Sequence, residues 1–122
     1  MNEAEFKRRT KALALRVVRL VAELPKNATA DVIGRQLLRA GTSVGANYRA
    51  ACRARSTKDM LSKLGIVEEE ADEAIYWLEL LGDSKIVKAS RLSDLIREFN
   101  EILAMVVASM RTLRSTNPKS KI

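Results

Sequence analysis

Apolar residues recur along the chain in alternating steps of three and four, the spacing that gathers them on one face of an α-helix. In the first segment Phe6, Leu13, Val17, Leu20 and Leu24 follow this rule, with Thr10 the polar interruption, until Pro25 stops the helix. A second segment starts near Asn27 or Thr29, either of which can cap the free amides of a first turn. It carries Ile33, Leu37, Ala40, Val44, Asn47 and Ala51 on its inner stripe. The third opens on Ser56 with Asp59 following in a capping-box pattern, then repeats Met60, Leu64, Val67, Ala71, Ala74, Leu78 and Leu81. Gly82 is its expected C-terminal stop. The last segment, with Ser90 as candidate cap, places Leu92, Ile96, Phe99, Leu103, Val106, Met110 and Leu113 at the same spacing.

Four such stripes joined by short connections predict an all-α fold, an antiparallel up-down-up-down four-helix bundle over residues 1–114 with helices crossing at about 20°. The link Arg53-Ala54-Arg55-Ser56 is short enough for one long bent helix, but the cap at Ser56 favours two. Residues 115–122, polar and basic with Pro118, read as a frayed tail. A chain of 122 residues with 47% hydrophobic and 30% charged residues suits one folded domain.

Glycines interrupt the second stripe at Gly34, Gly41 and Gly45, each costing about 1 kcal/mol relative to Ala inside a helix. Gly41 and Gly45 share one side with Cys52, a strip where another backbone can come close. That backbone is either a neighbouring helix of the same bundle or a second subunit. Opposite the strip, Gln36, Ser43 and Asn47 form a polar column whose groups need partners, on a neighbouring helix or across a subunit contact. In the third segment Ile66, Trp77 and Leu80 fall outside the inward stripe, beside Glu69, Glu73 and Tyr76. They are read as an oligomer interface, with peripheral core packing as the alternative.

Charge is polarised along the chain. Residues 1–63 hold 14 Lys and Arg against 5 Asp and Glu, whereas residues 64–84 hold 7 acids and no base. On the second segment Arg35, Arg39, Arg49 and Arg53 lie on one face opposite the apolar stripe, spanning on the order of 27 Å. Arg8, Arg9, Arg16 and Arg19 make a comparable face on the first. Arginine suits phosphate because its planar fork donates paired hydrogen bonds and stays charged. Arg35, Arg39, Arg49, Arg53, Arg8, Arg16 and Arg19 are therefore candidate contacts to nucleic-acid phosphates. The competing reading has Glu68 to Glu73 and Glu79 neutralise these stripes within or between subunits. With so few aromatics to stack on bases, recognition of structured RNA or duplex DNA by shape and phosphate is expected.

Enzyme chemistry finds little support. The sequence has no His, hence no imidazole base or ligand and none of the Glu-x-x-His pairs of a di-metal bundle. Glu68, Glu69, Glu70, Asp72 and Glu73 scatter around their helix instead of converging on a metal. No phosphate-binding loop is present either. No catalytic residue, cofactor or metal is expected. A lone Cys52, the lack of an export signal at the start, and an uncharged run (Ile102 to Met110) far shorter than the roughly 20 residues of a membrane span point to the cytoplasm.

The stretch Gln36-Leu-Leu-Arg39-Ala-Gly-Thr-Ser43-Val-Gly-Ala-Asn47-Tyr48-Arg49-Ala, followed by Lys58-Asp59-Met-Leu-Ser-Lys63-Leu and Glu70-Ala-Asp-Glu73-Ala-Ile-Tyr76-Trp77-Leu-Glu-Leu-Leu81, resembles a bacterial family. It is the four-helix-bundle family of the 23S rRNA intervening-sequence protein. The resemblance runs from about Leu24 to Leu81 and is weaker beyond. It implies a ring-like homo-oligomer, a pentamer, and relatedness to accessory proteins of diversity-generating retroelements, basic bundles that bind nucleic acid and a reverse transcriptase. Ala50 departs from the family pattern, which has Glu there. Together these readings describe a non-enzymatic homo-oligomer that binds nucleic acid or a nucleic-acid-processing partner. The alternative is a protein scaffold without nucleic-acid binding.

Overall fold

The computed structural model describes residues 2–116, and these form four α-helices with no strand among them. The helices are α1 (Glu3–Ala22), α2 (Ala28–Cys52), α3 (Thr57–Asp83) and α4 (Ala89–Thr116). Each packs on its chain neighbour, and α1 closes weakly on α4, so the order around the bundle is α1, α2, α3, α4. Three starts are capped by side chains: Asn2 accepts from the Glu5 amide, Asn27 from Ala30 and Ser56 from Asp59. Helix α1 ends at Ala22, ahead of Pro25, and the turn keeps Leu24 in the core.

The stripes meet as a heptad pattern dictates, with local departures. Leu61, one residue on from Met60, is the buried position on α3, Met60 being half-buried, while Leu95 and Ile102 take inner positions on α4 beside Phe99. On α2 the inner position expected for Asn47 belongs to Tyr48, whose ring meets Phe6 edge-on with centroids 4.2 Å apart. Asn47 is half-buried and donates to the Ser43 carbonyl, and Ser43 donates to that of Arg39, so both satisfy themselves on their own helix.

Gly82 does not stop α3. The helix runs to Asp83, and Lys85 takes the left-handed conformation at φ 63°, with its amide bonded to Gly82 O and that of Ile86 to Leu81 O. Gly82 instead lets α4 approach, since a Cβ there would stand 3.3 Å from Leu92 Cδ1. Ser90 lies within the first turn of α4, which begins at Ala89. Ser115 and Thr116 continue that helix, and the rest of the expected tail lies outside the described residues.

The glycine strip of α2 is occupied by α1 of the same chain. A Cβ on Gly34 would fall 2.9 Å from Leu24 Cδ1, on Gly41 2.9 Å from Val17 Cγ2 and on Gly45 3.1 Å from Thr10 Oγ1. Gly41 is buried under Val17 of the same chain and so offers no surface to an oligomer interface, contrary to the expectation from the sequence. Thr10 interrupts the α1 stripe because its short side chain fits over Gly45, with its hydroxyl returned to Phe6 O at 2.9 Å.

Two glycine substitutions should therefore move stability in opposite directions. Gly41→Val drives branched carbons into a fully buried Val17 and should cost about 2 kcal/mol. Gly65→Ala meets nothing nearer than Met110 Cε at 3.9 Å and should gain about 1 kcal/mol of helix propensity. Urea titrations followed by circular dichroism measure both, and a neutral Gly41→Val would show that the seam is loose.

Candidate nucleic-acid interface

Helix orientation divides the candidate arginines. On the outer faces of α1 and α2, Arg8, Arg19, Arg35, Arg49 and Arg53 are exposed and form no ion pair or side-chain hydrogen bond among the described residues. Arg39 points toward α3, where its Nη1 lies 2.9 Å from Glu70 Oε2 and its Nη2 binds Glu73. Arg16 reaches α4, pairing with Asp94 at 2.9 Å, and Arg9 bridges Glu98 and Glu101, both at 3.0 Å. Neutralisation within the subunit thus applies to Arg39 through Glu70 and Glu73. Glu68, Glu69, Asp72 and Glu79 form no ion pair among the described residues.

Arg8 and Arg49 are brought together across the α1–α2 seam. They line a groove of ≈ 390 Å³ whose remaining charged residues, Lys7 and Lys11, are also cationic. That volume falls within the roughly 300–1,000 Å³ of small-ligand clefts. The floor is Thr10, Ala14, Thr42, Gly45 and Ala46. Lys7 is tied to Glu3 at 2.9 Å, whereas Lys11 is exposed and has no ion pair among the described residues. Neither lysine stands out in the arginine pattern, and only the rotation of α1 against α2 joins them to Arg49. Arg16 and Arg19 instead stand with Glu23 and Arg91 beside α4.

The other side of the bundle has the opposite sign. Glu68, Glu69 and Asp72 line a groove with Gly65 of α3 and Leu103 and Val107 of α4. Because α1–α2 and α3–α4 occupy opposite faces of the four-helix order, the basic and acidic grooves point away from each other.

Of the residues read as an oligomer interface, Ile66 is 42% exposed and the neighbouring Tyr76 56%, whereas Trp77 and Leu80 are half-buried against the core. The Trp77 indole N–H donates to Glu73 Oε2 at 3.0 Å, and its ring meets Tyr76 with centroids 5.0 Å apart. That indole bond first, then the Arg39 guanidinium, holds the Glu73 carboxyl below its ordinary value of 4.5, with burial opposing them. Gly45 remains partly accessible in the groove floor. No group of three or more Cys, Asp and Glu converges to hold a metal among the described residues. Likewise, no described helix is long and apolar enough to cross a membrane.

These features define a charge-polarised four-helix bundle, basic on the α1–α2 side and acidic on the α3–α4 side. The family model of the 23S rRNA-intervening sequence protein matches residues 2–108, and the chain belongs to that family. A solved structure from Bacteroides thetaiotaomicron VPI-5482, described as a protein with unknown function from the S23 ribosomal protein family, is similar. It shares 33% identity at a TM-score of 0.81 over 86% of this chain and 97% of its own. A search among curated proteins found no match.

The Glu73 cluster makes a pH prediction. A carboxyl whose folded pKa is depressed stabilises the fold above its unfolded value, and that contribution is lost as pH falls through the folded value. Emission of Trp77, the sole tryptophan, should therefore titrate with a midpoint below 4.5, and Arg39→Gln should raise that midpoint toward 4.5. A midpoint unmoved by Arg39→Gln would mean that the guanidinium does not hold the carboxylate in solution.

Proposed function

We propose that this chain is a non-enzymatic nucleic-acid-binding protein that holds phosphates on the outer faces of α1 and α2. The observation that carries the reading is the set of unpaired, exposed arginines Arg8, Arg35, Arg49 and Arg53, joined by Lys11, on a chain of net charge +7. Unpaired guanidinium groups bind phosphate without first giving up a carboxylate. Arg19 stands apart from this face, beside Glu23 and Arg91 on the α4 side. Arg39 and Arg16 contribute less, because phosphate must compete there with Glu70, Glu73 and Asp94.

Salt dependence distinguishes the two arginine groups. Each neutralised phosphate adds about 0.9 to the magnitude of the log-log salt slope on B-form DNA. Arg35→Gln with Arg49→Gln should weaken binding across sequences and lower that slope by roughly 2, whereas Arg39→Gln should lower it by well under 1. Gel shifts at several salt concentrations with structured RNA and duplex DNA measure this. No binding by the wild type at low salt, or an unchanged slope in the double variant, would leave the protein-scaffold reading in place.

Self-association is a second element of the proposal, favoured by large apolar groups left in water: Val32, Ile66 and Tyr76 are 58%, 42% and 56% exposed. Val32 lies two helical turns before Arg39 on α2, on the face from which Arg39 reaches Glu70 and Glu73 of α3. None of these residues lines the α1–α2 groove, so copies joined through them, in the pentameric ring the family resemblance implies, would repeat the basic face and multiply weak contacts. A reverse transcriptase or other nucleic-acid-processing protein is a compatible partner for such a ring. Ile66→Glu should lower the mass measured by light scattering while the helical circular dichroism persists. A monomeric wild type, or an unchanged assembly in the variant, would overturn the interface.

A further inference from the structure

The floor of the α1–α2 groove is unlike its rim. Ala14, Gly45 and Ala46 offer no side-chain donor, and the two hydroxyls present are already engaged: Thr10 donates to Phe6 O at 2.9 Å and Thr42 to Leu38 O at 2.7 Å. A bare phosphate would find cations above it and nothing polar beneath. Among the described residues, Arg8, Lys11 and Arg49 on the rim form no ion pair and no carboxylate lines the groove. A ligand that uses both parts carries a body able to pack on small side chains, linked a few bonds away to anionic groups.

Resting on the phosphate-binding reading above, we propose that this groove is a slot for a single unpaired nucleotide. Its base lies on the Ala14–Gly45–Ala46 floor and its flanking phosphates rest on Arg8, Lys11 and Arg49. Guanidinium planes can stack on a base as aromatic rings do, which supplies a platform where aromatics are scarce. The small residues are what make room: a larger side chain at 14 or 46 would fill the floor without altering any charge. A continuous duplex keeps its bases stacked inside and can touch only the rim, whereas a bulged or looped-out nucleotide reaches the floor. The preferred substrate class is therefore RNA or DNA with an extruded base.

The test compares a matched duplex with the same duplex carrying one bulged 2-aminopurine, whose emission reports stacking, so that rim charge is held nearly constant. Wild type should bind the bulged form about tenfold more tightly, the scale of one base contact, and change the probe's emission. Ala46→Leu should abolish that preference while leaving duplex affinity and salt slope intact. Arg49→Gln should weaken both. Ala46 is exposed, so the fold should survive; if circular dichroism shows otherwise, Ala14→Met repeats the test from α1. Equal wild-type affinity for bulged and matched forms, or an undiminished preference in Ala46→Leu, overturns the slot but not phosphate binding. Failure to bind either form removes both.

Discussion

The close approach of α1 to α2 is the constraint on which the rest of the molecule turns. Three glycines of α2 each give up about 1 kcal/mol of helix propensity, and at each one α1 or its C-terminal turn fills the space where a Cβ would stand. Val17 covers Gly41, Thr10 covers Gly45, and Leu24 with Val21 covers Gly34. With larger residues the helices would separate and the flanking cations of the two helices would no longer share a groove. The seam that closes the core is thus also what brings Arg8 and Lys11 next to Arg49.

Electrostatics then sorts the cations by azimuth. Residues that lean toward an acidic neighbour are held there, as Arg39 is by Glu70 and Glu73, and Arg9 by Glu98 and Glu101. Such partly exposed pairs contribute little stability and are screened by salt. Their larger effect is on what remains, since they fix which guanidinium groups are engaged and leave the outer α1–α2 arginines free. With acids that pair with no described residue concentrated on α3, the bundle has a positive and a negative side.

Family membership carries the fold across 2–108, well beyond the Leu24 to Leu81 stretch whose motifs are legible by eye. It does not bring a function with it, since the solved relative is itself described as a protein with unknown function. The chemistry of this chain has to be argued from its own side chains. The Ala50 departure illustrates the point: the position is half-buried beside exposed Arg49, and a carboxylate there would add an acid next to one of the unpaired arginines.

By itself the sequence determined what depends on neighbours along the chain. Periodicity places four helices within a few residues of their observed bounds, and Asn27 and Ser56 cap their helices because the first-turn amides they satisfy are three residues away. Even local rules yield where two compete. Gly82 looks like a helix stop, yet contact with Leu92 claims it and the left-handed position passes to Lys85. Tertiary structure alone decided the rotation and register of one helix against the next. That choice puts Tyr48 and not Asn47 on Phe6, turns the glycine strip inward, pairs Arg39 while leaving Arg35, Arg49 and Arg53 free, and recruits Lys11 to the groove. A stripe in one helix specifies which face is buried. Which carboxylate stands opposite a given guanidinium depends on a partner dozens of residues away, set by packing across the whole interface.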